Sequence, residues 1–261
     1  MQAVVLVAAT LPFRNPSLPL NIRAADLMAR LTRDEKVSST FNHAPPISRL
    51  GIPAYKMGGI ACQHGVAVPA SVGGATIFPT PLAMAASFNT SLLADVASAV
   101  STEMRALFNA KVYDKASLVC MDPNVNIVRD PRWGRNLETY GEDPTLTSRM
   151  AVAFVGALQA SNGSHLVKVG GGCKHFAGYS LEQAEGFSRF DFDAHISAKD
   201  AEESYLPAFR ACADEARSLS VMCSCARRDD RTLLSSVSCE PCERLASGVR
   251  LVWLLCTQTT R

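Results

Sequence analysis

Residues 119–144 read VCMDPNVNIVRDPRWGRNLETYGEDP. The opening Val119-Cys120-Met121 is a short apolar run, which predicts a buried strand. Pro123, Pro131 and Gly134 then forbid a regular continuation. The remainder reads as a polar loop with three arginines (Arg129, Arg132 and Arg135), several carboxylates and Trp133. Guanidinium forks, carboxylates and an aromatic face are the groups that hold a polyhydroxylated ring. The same set also makes a salt-bridged loop capping a sheet. Composition alone leaves both readings open.

Working outward, the 261 residues fit one large domain or two small ones. A hydrophobic share of 48% against 19% charged residues is enough to bury a sizeable core. With 26 basic and 24 acidic residues the formal net charge is +2, and nothing points to nucleic acid or a membrane surface as partner. No apolar run reaches the roughly 18 residues that would span a bilayer. Nine cysteines are an odd number, so at least one is unpaired within the chain. The start, MQAVVLVAATLP, is apolar but lacks a basic leader region. It reads equally as a weak or clipped signal peptide and as an ordinary apolar terminus. Asn89-Thr90-Ser91 and Asn162-Gly163-Ser164 fit the glycosylation sequon, which matters only in a secreted protein.

In residues 21–37, Ile22, Leu27 and Leu31 recur at helical spacing. Thr32 and Glu35 form a capping-box pattern that starts a second short helix. A short strand is expected near Ala54 to Gly58. Ser91 to Phe108 predicts a long helix with Leu92, Leu93, Val96, Val100 and Met104 on one stripe. Another helix is expected from about Asp143 to Leu158, capped by Asp143 or Thr145. Leu166 to Val169 reads as a strand leading into Gly170-Gly171-Gly172. Ala201 to Arg217 reads as a helix with Tyr205, Phe209 and Cys212 on one face, and Ser220 to Ser224 as the next strand. This alternation of strand and helix predicts an α/β fold around a parallel sheet.

DPRWGRNLETYGEDP closely resembles the signature of glycoside hydrolase family 3, in particular its β-xylosidase and β-glucosidase branch. The resemblance runs from about Asn15 to Ser224. It includes the opening pattern from Arg23 to Lys36, Thr76-Ile77-Phe78-Pro79, and Lys174-His175-Phe176. It implies a (β/α)8 TIM-type barrel, here incomplete, with functional side chains at the C-terminal strand ends. The chain then divides into an N-terminal segment 1–20, a barrel portion 21–224 and a divergent tail 225–261. The resemblance implies that Arg135, Lys174 and His175 hold a sugar in the first subsite, while Arg129, Arg132, Glu138 and Asp143 pin the loop. The implied partner is a β-linked xylo- or gluco-oligosaccharide outside the cell, with no cofactor and no metal. One departure stands in Ala61-Cys62-Gln63-His64-Gly65-Val66. The family places an acid that contacts the sugar where Ala61 stands, and a methyl group cannot accept a hydroxyl proton.

A retaining glycosidase needs two carboxyl groups about 5 Å apart, one nucleophile and one acid/base. The family nucleophile comes after a later strand, in a context absent from Cys225 to Arg261. Asp229 and Asp230 lie among arginines in an unrelated setting. The expectation is a family-like chain without its catalytic carboxylates, its tail produced by an altered reading frame or splice. Two other classes remain: a sugar-binding module without activity, and a structural protein with zinc on Cys223, Cys225, Cys239 and Cys242, against disulfides or plain thiols at the same residues.

Overall fold

The structure is a computed structural model that describes residues 11–56, 61–68, 70–111, 117–161, 166–190 and 194–224. The chain forms two compact units, Met1–Gly58 and Gly59–Arg261.

In the first unit, α1 (Leu20–Arg30) and α2 (Arg33–Ser38) are separated at the expected capping box. Glu35 N–H donates to Thr32 Oγ1 at 3.2 Å, and Thr32 N–H donates to the Glu35 carboxylate at 2.8 Å. Arg49 binds the same carboxylate and holds its pKa at about 2. The hydrophobic stripe is only partly used, since Ile22 remains 49% exposed. The strand expected near residue 54 is β2 (Tyr55–Lys56), antiparallel to β1 (His43–Ala44).

The second unit carries the α/β core. A short helix α3 (Pro81–Ala85) leads to α4 (Thr90–Ala110), which Asn89 caps by accepting Leu92 N–H at 3.1 Å. Leu93, Val96, Ala97, Val100 and Met104 are buried along α4, whereas Leu92 turns outward. The stripe therefore runs i, i+3, i+4, i+7 starting from Leu93. After β3 (Val119–Cys120) comes α5 (Pro144–Gln159), capped by Asp143 through Leu146 N–H at 2.5 Å. Its buried face is Met150, Ala151, Phe154, Val155 and Leu158, packed into the same cluster as α4. Each large side chain among these stabilises the fold by roughly 1.5–3 kcal/mol.

β4 (Gly170–Phe176) lies between β3 and β7 (Ser220–Cys223), parallel to both. Val119 pairs with Gly170 and Cys120 with Gly171; on the other side Gly172 pairs with Ser220. The strand starts at Gly170, so the glycines are part of it, and residues 166–169 only lead in. Close approach is the reason. A Cβ on Gly172 would stand 2.8 Å from Ser220 Oγ and 3.1 Å from the Cys120 carbonyl oxygen. The three strands form an open sheet; among the described residues no sheet closes on itself. A small hairpin, β5 (Gln183–Ala184) and β6 (Phe187–Ser188), stands after β4.

The helix expected over 201–217 is interrupted. It begins earlier, as α6 (Ala198–Asp200), with the Ser197 hydroxyl accepting Asp200 N–H at 3.1 Å. A π turn (Ala201–Tyr205), α7 (Pro207–Arg210) and a second π turn (Ala211–Glu215) come after it. Pro207 lacks an N–H and its ring crowds the carbonyl four residues back, so the chain widens, and Leu206 N–H donates to the Ala201 carbonyl at 2.9 Å. Phe209 and Cys212 are buried as expected, and Tyr205 only partly.

Two disulfides join core elements, Cys62–Cys120 and Cys173–Cys212. Of the four cysteines that could hold zinc, Cys223 ends β7, while Cys225, Cys239 and Cys242 lie outside the described residues, as do Asp229 and Asp230. Asn162 of the second sequon also lies outside them.

Candidate functional site

Parallel pairing continues past the end of β3. Gly172 N–H donates to the Asp122 carbonyl and Lys174 N–H to the Pro123 carbonyl, both at 3.0 Å; Val125 N–H returns to the Lys174 carbonyl at 2.8 Å. The polar stretch after β3 is thereby laid along the C-terminal end of β4. Asp122, Asn124 and Asn126 come beside Lys174 and His175 across this ladder, although about fifty residues separate them in sequence. The Asp122–Pro123, Lys174–His175 and Phe176–Ala177 peptide bonds are cis.

Lys174 is buried. Its Nζ lies 2.7 Å from Asp122 Oδ1 and 4.0 Å from Glu138 Oε2. Asp122 is equally buried, and its Oδ2 accepts Cys62 N–H at 2.5 Å and Gln63 N–H at 3.1 Å. A charge removed from water is tolerated only with a partner and hydrogen bonds of this kind.

His175 is held by Asn126. Asn126 Oδ1 accepts His175 N–H at 2.9 Å and lies 3.1 Å from Nδ1, while Asn126 Nδ2 donates to the His175 carbonyl at 3.0 Å. That last bond orients the amide with its oxygen toward the ring. Nδ1 therefore carries the proton and Nε2 is left as an acceptor. Burial, and then the positive charges of Arg135, Lys174 and Arg189, push the imidazole pKa down to about 2, so His175 is neutral. An unfolded histidine titrates near 6.5. Below that pH the unfolded chain takes up a proton that the folded chain refuses. The stabilising contribution is thus complete above about pH 6.5 and is lost as pH falls toward 2. His175→Gln is expected to flatten the acid limb of a stability-against-pH curve by one proton between about pH 6 and 4, read by urea unfolding at each pH. An unchanged slope would show that His175 is already charged in the fold.

Arg135 is half-buried and faces Glu138 with a two-pronged contact, Nε to Oε1 at 2.8 Å and Nη2 to Oε2 at 2.7 Å. Its Nη1 donates to Tyr179 Oη at 3.4 Å, and its guanidinium carbon stands 5.6 Å from the Tyr179 ring centre. Burial opposes its charge, but Glu138 and Tyr179 together outweigh burial and hold the guanidinium pKa above its usual value. Burial also opposes ionisation of Glu138, and Arg135, together with Lys174, outweighs it and keeps that carboxyl below its usual range. Glu182 closes the rim. It accepts Trp133 Nε1–H at 3.2 Å and the Tyr179 hydroxyl, and it pairs with Arg189 at 3.4 Å. Tyr179 in turn packs edge-on against His175 and Trp133, at 4.8 and 5.5 Å between ring centres.

The structure therefore brings Arg135, Lys174 and His175 into one cluster. The other arginines of the loop do not join it. Arg129 donates to Ser204 Oγ at 2.7 Å and stacks 3.6 Å from the Tyr205 ring centre. Arg132 pairs with Asp130 in the open. Asp143 caps α5, whereas Glu138 sits between Arg135 and Lys174 inside the cluster. Sequence reading misses Asp122, Asn126, Tyr179 and Glu182. Their common signal is nearness in the chain to the Arg135 loop or to Lys174-His175, which gives no hint of the cross-strand pairing. Chemically, the cluster offers fixed cationic donors, a neutral imidazole acceptor and an aromatic wall, a set suited to hydroxyl groups.

The model of the glycosyl hydrolase family 3 N-terminal domain matches residues 22–242. The chain belongs to this family. It is 42% identical over 221 residues to β-xylosidase/α-L-arabinofuranosidase 1 of Medicago sativa subsp. varia, covering 81% of this chain and 28% of that protein. It is 44% identical over 221 residues to exo-1,4-β-xylosidase bxlB of Emericella nidulans, covering 82% and 28%. Among solved structures, the family 3 exo-β-xylosidase XlnD, in complex with a xylobiose aziridine activity-based probe, superposes with a TM-score of 0.78. The two are 35% identical, and the match covers 84% of this chain and 29% of XlnD. The family 3 chain thus spans between a quarter and a third of the length of these relatives.

Proposed function

We propose that this chain is the sugar-gripping part of a β-xylosidase-type hydrolase, in which Arg135, Lys174 and His175 hold the hydroxyls of a terminal β-linked xylosyl or glucosyl unit. On this reading residues 21–224 are a portion of a (β/α)8 barrel, and 225–261 form a tail that diverges from the family pattern although the family match continues to residue 242. The natural ligand class is a xylo- or gluco-oligosaccharide of plant cell-wall type. The observation that carries it is the Lys174–His175 pair on the tip of β4, buried, charge-balanced by Asp122 and oriented by Asn126. Side chains are fixed in this way at the C-terminal strand ends where α/β enzymes place their sites. The XlnD complex with a xylobiose-derived probe supports the same ligand class. The two disulfides fit a protein of an oxidising compartment and support an extracellular location.

The 261-residue chain by itself binds without cleaving. Asp122, Glu138 and Glu182 are each paired with a cation, which leaves none of the three as a free nucleophile or acid/base. The expected result is saturable binding of D-xylose or D-glucose by calorimetry together with no release of nitrophenol from an aryl xyloside. Absence of binding removes the sugar-site reading. Hydrolysis at rates typical of intact glycosidases, in contaminant-free protein, removes the binding-only reading.

A further inference from the structure

Asp122 does more than neutralise a charge. Its carboxylate, 2% exposed as a residue, is shared between Lys174 Nζ on one oxygen and the N–H groups of Cys62 and Gln63 on the other. Gln63 Oε1 in turn accepts Asn124 N–H at 3.2 Å, and the Cys62–Cys120 disulfide ties the same loop to β3. One carboxylate thus couples the ammonium on β4 to a loop 60 residues earlier in the chain. That loop opens with Ala61, an exposed residue with no carboxylate to offer. Glu138 is the other acid near Lys174, but it stands 4.0 Å away and is gripped on both oxygens by Arg135. The negative charge that fixes Lys174 therefore comes from residue 122.

We propose that Asp122 is the positioning residue for Lys174, supplying from the tip of β3 the negative charge that Ala61 does not bring. This rests on the reading that Lys174 grips a sugar. With one ammonium proton directed at Asp122, the remaining two are left with set directions, which is what a ring of fixed hydroxyls requires. Asp122 itself is enclosed and does not touch the ligand.

The test is a double-mutant cycle on the full chain, with D-xylose titrated by calorimetry at about pH 7. Lys174→Met and Asp122→Asn are each expected to weaken xylose binding roughly 10- to 100-fold. The double variant should bind no more weakly than Lys174→Met alone, because Asp122 acts only through Lys174. Losses that multiply in the double variant, or wild-type affinity in Asp122→Asn, overturn the proposal. Wild-type affinity in Lys174→Met removes the sugar site and the proposal together. Loss in Lys174→Met with none in Asp122→Asn removes only the positioning role. Should Asp122→Asn fail to fold, Asp122→Glu keeps the charge and displaces it by a methylene; weakened xylose binding there supports the proposal and unchanged affinity overturns it.

Discussion

Lys174→Met is expected to lose both sugar affinity and fold stability, and the two losses have different origins. The methionine keeps the volume of the stem but brings no donor, so hydroxyls that the ammonium would hold return to water. Stability falls because Asp122, with its side chain 3% exposed, is left charged and without a counter-ion. Removing one partner of a buried pair typically costs about 3–5 kcal/mol. The N–H groups of Cys62 and Gln63 remain on Asp122, so the lower end of that range, about 3 kcal/mol, is expected here. Urea unfolding at neutral pH reads this directly. Arg135 is the contrast: it shares a half-exposed Glu138, so the same truncation there costs far less stability. A Lys174→Met protein as stable as wild type within about 1 kcal/mol would mean that the pair is wet rather than buried.

Gly65→Ala is the second large effect. Gly65 sits at φ +122°, where side chains are strained, and a Cβ would lie 2.2 Å from the Thr76 carbonyl oxygen and 3.1 Å from Ile77 Cα. Both obstacles are backbone, so nothing can swing aside. Backbone strain and overpacking together are expected to cost about 2–6 kcal/mol. The damage reaches the site, because opening this corner breaks the Phe78 N–H to His64 carbonyl bond of 2.7 Å and loosens the loop that presents Cys62 and Gln63 to Asp122. Gly73→Ala is the control: φ is +89°, but no atom lies within 4 Å, so only the conformational penalty of about 1 kcal/mol applies. Thermal unfolding of the two variants should separate them widely. Equal midpoints would show that the Gly65 corner yields without cost.

Periodicity makes α4 and α5 legible, because each buries one continuous stripe and each starts at a side-chain cap that is local in sequence. The same holds for Thr32 and Glu35, whose reciprocal bonds span three residues. The helical stretch over 198–215 departs from the expected pattern at its middle, since apolar spacing carries no record of how the chain bends around Pro207. Strand β4 begins later than expected because glycines read as a break. Only the approach of Ser220 and Cys120 from either side makes Gly172 a strand residue.

The sequence by itself determined the family pattern, the alternation of helix and strand, and three side chains worth singling out in Arg135, Lys174 and His175. The alternation rests on local spacing and residue chemistry, which a linear string records, and the three side chains rest on the family resemblance carried by the motifs around them. Tertiary structure alone decided which carboxylate answers Lys174, which amide fixes the His175 tautomer, and that Glu138 sits inside the cluster rather than only pinning its loop. Such choices depend on distances across parallel strands, and a residue's partner fifty or sixty positions away is set by register rather than by anything written beside it.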